Sequence, residues 1–323
     1  MTSLDSTSVS LLILGAGWTG TFLVPHLRES HPSLTFAATT RDGRDGTIAW
    51  TWDSEREGPE QFGALPRAET VLVVFPIRGE GGSRRLVEGY EEAVGGRVRW
   101  IQLGSTGIFD GGPTLAGRRV AGEDVSSPPP LKWTDRHSAY DTSNARAVAE
   151  DELLGMHEEM YVLNLAGLWG GTRIPTNWIP KIAPTYEALE AKGSLHLIHG
   201  EDVARAVVAV HLSSTRSSAS EKVAAQEEEE KASKLKGERF ILTDLRVYDW
   251  WDLVAAYAPS SSASSTSEDT PAPALWAQSL LRKHQIRALP RTPEEIGRAM
   301  DSREFWERYE LMPKRGRFDP SKA

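Results

Sequence analysis

Apolar residues fall in short blocks along this chain, separated by polar stretches rich in Gly, Pro and Ser. The blocks Val9–Leu14, Leu34–Thr40, Thr70–Phe75, Val98–Leu103, Met160–Leu165 and Arg239–Thr243 are bounded by turn residues. Short, nearly continuous apolar runs of this kind predict strands buried on both faces. Thr47–Trp52 alternates and suits a shorter strand, and Leu195–Ile198 suits another. Between the blocks the spacing becomes helical. Phe22, Leu23 and Leu27 share one face, and Gly81–Val94 and Tyr140–Leu154 continue the pattern. Trp178–Ala191 is amphipathic and is expected to cover a cleft. Asp202 stands where it caps a helix running to Leu212, because the macrodipole favours an acid there. Val247–Tyr257 reads as a helix, and Ala274–Met312 carries Trp276, Leu280, Leu281, Ile296 and Trp306 at helical spacing.

Strands alternating with helices predict an α/β fold, a doubly wound parallel sheet with a smaller, discontinuous C-terminal lobe. The sheet domain is expected over 1–166 and the lobe over 167–323, with 195–212 returning to the sheet domain. Residues 110–139 form a long excursion. Ser213–Gly237 and Pro259–Pro273 are low in complexity and too polar to bury a core, so they read as flexible insertions.

The first block ends at Gly15–Ala16–Gly17–Trp18–Thr19–Gly20, a G-x-G-x-x-G placed between a strand and a helix. That context is what dinucleotide binding requires. Gly15 permits the turn, Gly17 lets a pyrophosphate approach the backbone, and Gly20 is expected to bring the helix close to the strand. The free N–H groups at the helix start bind phosphate oxygens. Trp18 either caps the turn or shields the phosphates. Thr19, between it and Gly20, lies in the same loop. The second strand ends in Thr39, Thr40 and Arg41. Hydroxyls and a guanidinium at that position favour the 2′-phosphate of NADP, while the adjoining Asp42 keeps NAD open. Pro76, after the Thr70–Phe75 strand, marks the edge along which the cofactor passes.

The formal charge of −8 argues against a broad nucleic-acid surface. The apolar runs are too short to span a membrane, and the polar start does not read as a secretory signal, so the expected location is the cytoplasm. With no Cys, thiolate catalysis, disulfides and Cys-based zinc sites are excluded. The eight His suggest no metal site, and eleven Trp suffice to build a core and line a pocket.

Four further stretches, in order, carry a resemblance: Gly104–Ser105–Thr106–Gly107–Ile108–Phe109, Tyr140–Glu150 (YDTSNARAVAE), Leu163–Gly171 (LNLAGLWGG) and His196–Val210 (HLIHGEDVARAVVAV). Together with the glycine loop they resemble the extended, atypical short-chain dehydrogenases/reductases, the NAD(P)-dependent epimerase/dehydratase-like group. The resemblance implies an NAD(P)-dependent oxidoreductase or epimerase-like enzyme, acting on a small carbonyl or sugar-like substrate and often a homodimer. It implies Ser105 as the hydroxyl that polarises the substrate oxygen and Tyr140 as the proton donor. The family's Lys, four residues after its Tyr, is missing. Counting from Tyr140 gives Asn144, a candidate ribose contact; counting back from Ala149–Glu150 gives Thr142 and Arg146 instead. The altered pair leaves a second reading open, a cofactor-binding sensor or regulatory protein with little turnover.

Overall fold

The computed structural model of the protein describes residues 8–109, 133–213, 236–258 and 273–319. In chain order the elements are β1 (Val9–Leu14), α1 (Gly17–Ser30), β2 (Phe36–Thr40), β3 (Ile48–Ala49), β4 (Ala68–Val73), α2 (Gly82–Val94), β5 (Arg99–Ser105), β6 (Trp133–Thr134), α3 (Ala145–Leu154), β7 (Met160–Leu165) and β8 (Gly167–Trp169). They continue with α4 (Ile179–Ile182), α5 (Tyr186–Glu190), β9 (Ser194–Leu195), β10 (Leu197–His199), α6 (Gly200–Leu212), β11 (Glu238–Leu242), β12 (Tyr248–Asp249), α7 (Trp250–Tyr257), α8 (Pro273–Lys283), α9 (Pro293–Ile296), β13 (Ala299–Met300) and α10 (Arg303–Arg308).

Seven strands form one sheet in the order β11-β7-β5-β4-β1-β2-β3, and every pairing in it is parallel. This is the doubly wound α/β fold. Alternate residues sort the strands to two faces. Leu11, Ile13, Leu72, Leu103, Leu163 and Phe240 pack with Leu23 and Leu27 of α1, Val203 and Val207 of α6 and Phe305 of α10. Leu12, Leu14, Val71, Val73, Trp100 and Val162 pack on the other face with Leu86, Val87 and Tyr90 of α2 and Leu153 of α3. A third core joins Trp169, Ile179, Leu189, Trp250, Trp251, Val254, Leu280 and Phe318. None of the described helices is long and apolar enough to cross a membrane.

Several elements differ from the sequence expectation. The helix expected from Tyr140 begins at Ala145, because Asp141 closes a turn onto Ser143 and Asn144 then caps the helix by accepting from Arg146 N–H. Trp178–Ala191 is broken into α4 and α5, since Pro184 forces Ala183 out of helical geometry. Leu195–Ile198 divides between two small sheets, β9 with β12 and β10 with β8. The cap of α6 is His199, whose Nδ1 accepts from Glu201 N–H, and not Asp202. Asp202, fully buried, accepts instead from the backbone of Lys314 and Arg315 and so fastens the C-terminal segment to α6. β11 is an edge strand of the main sheet. Most of the insertion read at 213–237, all but the last residue of that at 259–273, and most of the excursion at 110–139 lie outside the described residues.

The C-terminal segment has a second anchor with a pH dependence. Burial pushes the Asp244 carboxyl up from its ordinary 3.8 to about 7, against the bonds that it accepts from Tyr248 Oη–H and Arg246 N–H. Tyr248 Oη in turn accepts from Phe318 N–H at 2.8 Å. Between about pH 4 and 7 the unfolded chain has lost this proton and the folded one keeps it, so stability falls as pH rises through the window. The slope attributable to this group is at most ~1.4 kcal/mol per pH unit. Asp244→Asn removes it, and urea unfolding at pH 4.5 and 7 should show a smaller loss in the variant than in the parent chain.

Candidate functional site

Because the sheet is parallel, β1, β4 and β5 end at one edge, and the loops after them emerge side by side. The loop after β1 is the glycine motif. Gly15 and Gly17 have φ of +76° and +44°, in the left-handed region open to glycine. A Cβ on Gly15 would lie 3.0 Å from the Phe75 ring, whereas one on the exposed Gly17 would meet nothing within 4 Å. Thr39 sets the turn: its Oγ1 accepts from Gly15 N–H at 2.8 Å and its carbonyl from Ala16 N–H at 2.9 Å. Thr39 is fully buried beneath the turn that it braces, away from the rim where a 2′-phosphate would be met. Gly20 is required by its own turn, since a Cβ there would stand 2.7 Å from Ala16 Cβ. The expected close approach to the strand is not what restricts it.

The N-terminus of α1 carries no side-chain cap and no acid in its first turn, and Thr19 there is buried. The next long helix is the opposite case: Glu152 accepts from Gly81 N–H at 2.7 Å and from Arg84 N–H at 3.1 Å at the start of α2. Trp18 lies partly buried in the first turn of α1, and its Nε1–H donates to Gly170 O at 3.0 Å. At the end of β2, Thr40 donates to Asp42, and Asp42 also pairs with Arg44 at 3.3 Å. Arg41 is exposed beside them. Pro76 is exposed after β4, and Gly79 N–H donates to Ala145 O at 2.8 Å, which brings the start of α3 and its cap Asn144 against this loop.

Ser105 ends β5 half-buried, with its Oγ accepting from Gly107 N–H at 3.1 Å. Asp141 N–H donates to Ile108 O at 3.0 Å, so the Tyr140 segment lies against the turn that follows Ser105. The Tyr140 hydroxyl donates to Asp151 Oδ1 at 2.8 Å, its ring meets Phe109 edge-on, and Arg239 Cζ sits 4.4 Å from the ring centroid. Burial, with Asp151 adding to it, pushes the phenol above its ordinary value despite Arg239. Tyr140 and Asn144 do not share a helix face, since both precede α3. Arg146 is in the helix, but its guanidinium donates to Leu103 O at 3.0 Å.

Behind Ser105 lies a buried polar network that the sequence did not suggest. Arg239 donates to Asp151 at 2.8 Å and to Glu150 at 3.4 Å. Asn164 Nδ2 donates to Glu150 at 2.8 Å and to the Ser105 carbonyl at 3.2 Å. Burial pushes the Glu150 carboxyl up against the pull of Asn164 and Arg239. Gly104 makes room for this packing: a Cβ there would fall 2.5 Å from Asn164 Nδ2 and 2.7 Å from Glu150 Oε1. From the C-terminal part of the chain, Arg298 donates to Thr106 O at 3.2 Å, and His196, lowered to about 3 by burial, accepts from Met300 N–H. Among the described residues no group of three or more His, Asp or Glu is placed to hold a metal ion.

No protein-family model matches the sequence, and no curated protein matches it. Solved structures do match in shape. A protein from Methylobacillus flagellatus described as an NAD-dependent epimerase/dehydratase superposes with a TM-score of 0.55 at 14% identity, over 95% of this chain and 94% of that one. MoeE5, solved with UDP-glucose and NAD, gives 0.54 at 14% identity, over 97% of this chain and 95% of that one. A UDP-glucose 4-epimerase from Thermus thermophilus, solved with NAD, gives 0.52 at 11% identity, over 94% of each chain. The chain thus shares the doubly wound, Rossmann-type fold of these solved structures.

Two substitutions check this geometry. Gly104→Ala pushes a methyl into Asn164 and Glu150 and should destabilise by about 1–3 kcal/mol in denaturant unfolding. Tyr140→Phe keeps the ring contacts and loses one hydrogen bond, so the same measurement should show a loss of ~1 kcal/mol.

Proposed function

We propose that the protein binds a nicotinamide dinucleotide across the ends of β1 and β4 and acts as an oxidoreductase or epimerase-like enzyme on a small carbonyl or sugar-like substrate. The observation that carries the cofactor reading is the glycine turn braced by Thr39, opening onto an α1 N-terminus with neither cap nor acid. Gly15, Gly17, Trp18, Thr19 and Gly20 would hold the pyrophosphate side, Thr40 and Arg41 the adenosine side, and Pro76 and Asn144 would border the nicotinamide half. A bound nicotinamide would supply or accept hydride. The solved relatives support a nicotinamide cofactor, two of them having been solved with NAD. NADP is preferred here because Arg41 is exposed while Asp42 is already engaged by Thr40 and Arg44.

Ser105 is the hydroxyl best placed to donate to a substrate oxygen. One feature favours the alternative of a sensor with little turnover: the Tyr140 proton is committed to Asp151 and its phenol is raised, not lowered. Oxidation of NADPH by a carbonyl panel supports the enzyme; bound NADPH inert to the whole panel supports the sensor. Arg41→Ala should weaken NADPH by about tenfold, the loss of one charge-assisted pair, and leave NADH unchanged in calorimetric titrations. If turnover is found, Ser105→Ala should cut kcat by about 10²-fold or more at unchanged cofactor affinity, while Tyr140→Phe retains it.

A further inference from the structure

Arg173 follows the LNLAGLWGG stretch and belongs to none of the cofactor motifs. Its backbone is fixed by a closed turn, with Gly170 N–H donating to Arg173 O at 2.9 Å and Arg173 N–H to Gly170 O at 3.1 Å. Gly170 and Gly171 take φ of +108° and +55° to make that turn. The Gly170 carbonyl also accepts from Trp18 Nε1–H, so this loop is tied to the first turn of α1. The Arg173 guanidinium then lies over the Trp18 indole, Cζ 4.5 Å from the ring centroid. Stacking uses the face of a guanidinium and leaves its edge N–H groups able to bond a planar or tetrahedral oxyanion. The side chain is exposed, and among the described residues no carboxylate forms an ion pair with it. Beside Trp18 is the exposed Gly17, with open space where a side chain would be.

We infer that Arg173 is a cofactor-binding residue, its guanidinium steered by the Trp18 ring onto the pyrophosphate that the glycine loop receives. The inference rests on the dinucleotide reading above and adds a phosphate ligand from the far half of the chain. A diphosphate diester is the ligand class that fits a fixed cation beside uncapped helix N–H groups. The indole thereby has two roles, a bond to Gly170 and a platform for the cation. Cofactor binding would draw on the same loop that leads from β8 into the third core, coupling the cofactor to the lobe.

Titration of the full chain with NADPH and NADH, at two salt concentrations, tests this. NADPH and NADH share the pyrophosphate, so Arg173→Ala should weaken both by the same factor, about tenfold, and reduce the salt dependence of binding. Arg173→Lys should recover part of the loss, and both variants should melt at the parent temperature. If the parent chain binds a dinucleotide and Arg173→Ala binds it equally well, this inference fails and the cofactor reading stands. Loss of NADPH alone would place Arg173 at the 2′-phosphate and overturn it. If the parent chain binds neither dinucleotide, the cofactor reading fails and this inference with it.

Discussion

The central constraint is that β1 is buried on both faces. Leu11, Leu12, Ile13 and Leu14 are all inaccessible, and the two faces can be covered only if helices cross over on both sides of a parallel sheet. Crossovers of this kind return each strand in the same direction, so every strand delivers its following loop to one edge. The glycine turn, Pro76 and Ser105 meet there because the sheet is parallel, not because they are near in sequence. On the opposite side of β1, β2 brings Thr39 to brace the turn and Arg41 to the rim.

Electrostatics then distinguishes the helix starts that meet this edge. The macrodipole leaves partial positive charge at each. At α2 it is answered by Glu152, and at α6 by Glu201 and Asp202. At α1 neither a cap nor a first-turn acid answers it, and Arg173 adds a full positive charge over the neighbouring indole. An anion is the natural complement at that point. The chain carries a net charge of −8, so the local field opposes the global one.

The strands were legible because burial on both faces leaves continuous apolar runs; Met160–Leu165 is reproduced residue for residue. The glycine loop was legible because its constraint is local, one residue type per backbone conformation. Helix starts were harder. Tyr140 to Asn144 is compatible with a helix by spacing, but Asp141 and Asn144 offer the backbone competing bonds, and those decide the boundary. Trp178–Ala191 has an amphipathic pattern, yet Pro184 divides it. The roles of Arg239, Asn164, Asp202 and Arg173 depend on partners distant in sequence, to which no spacing rule applies. Even so, an arginine just after a Gly-Gly turn in a motif-bearing stretch was a signal available in the sequence.

The proton-transfer position is where this chain departs furthest from what its resemblance implies. A phenol serves as an acid or base near neutral pH only if its anion is stabilised. Tyr140 has a cation near its ring, but Arg239 is shared among Asp151, Glu150 and the ring, and the hydroxyl itself faces Asp151. Ionising it would set a phenolate against a carboxylate in a half-buried site, so the balance runs upward. The charge that would normally tune the tyrosine is instead neutralised within a structural network, and that network ends on the carbonyl of Ser105. It therefore holds the end of β5 in place. The two halves of the proposed site are therefore built independently: the glycine turn depends on Thr39, the glycines and α1, and none of these bonds passes through Tyr140.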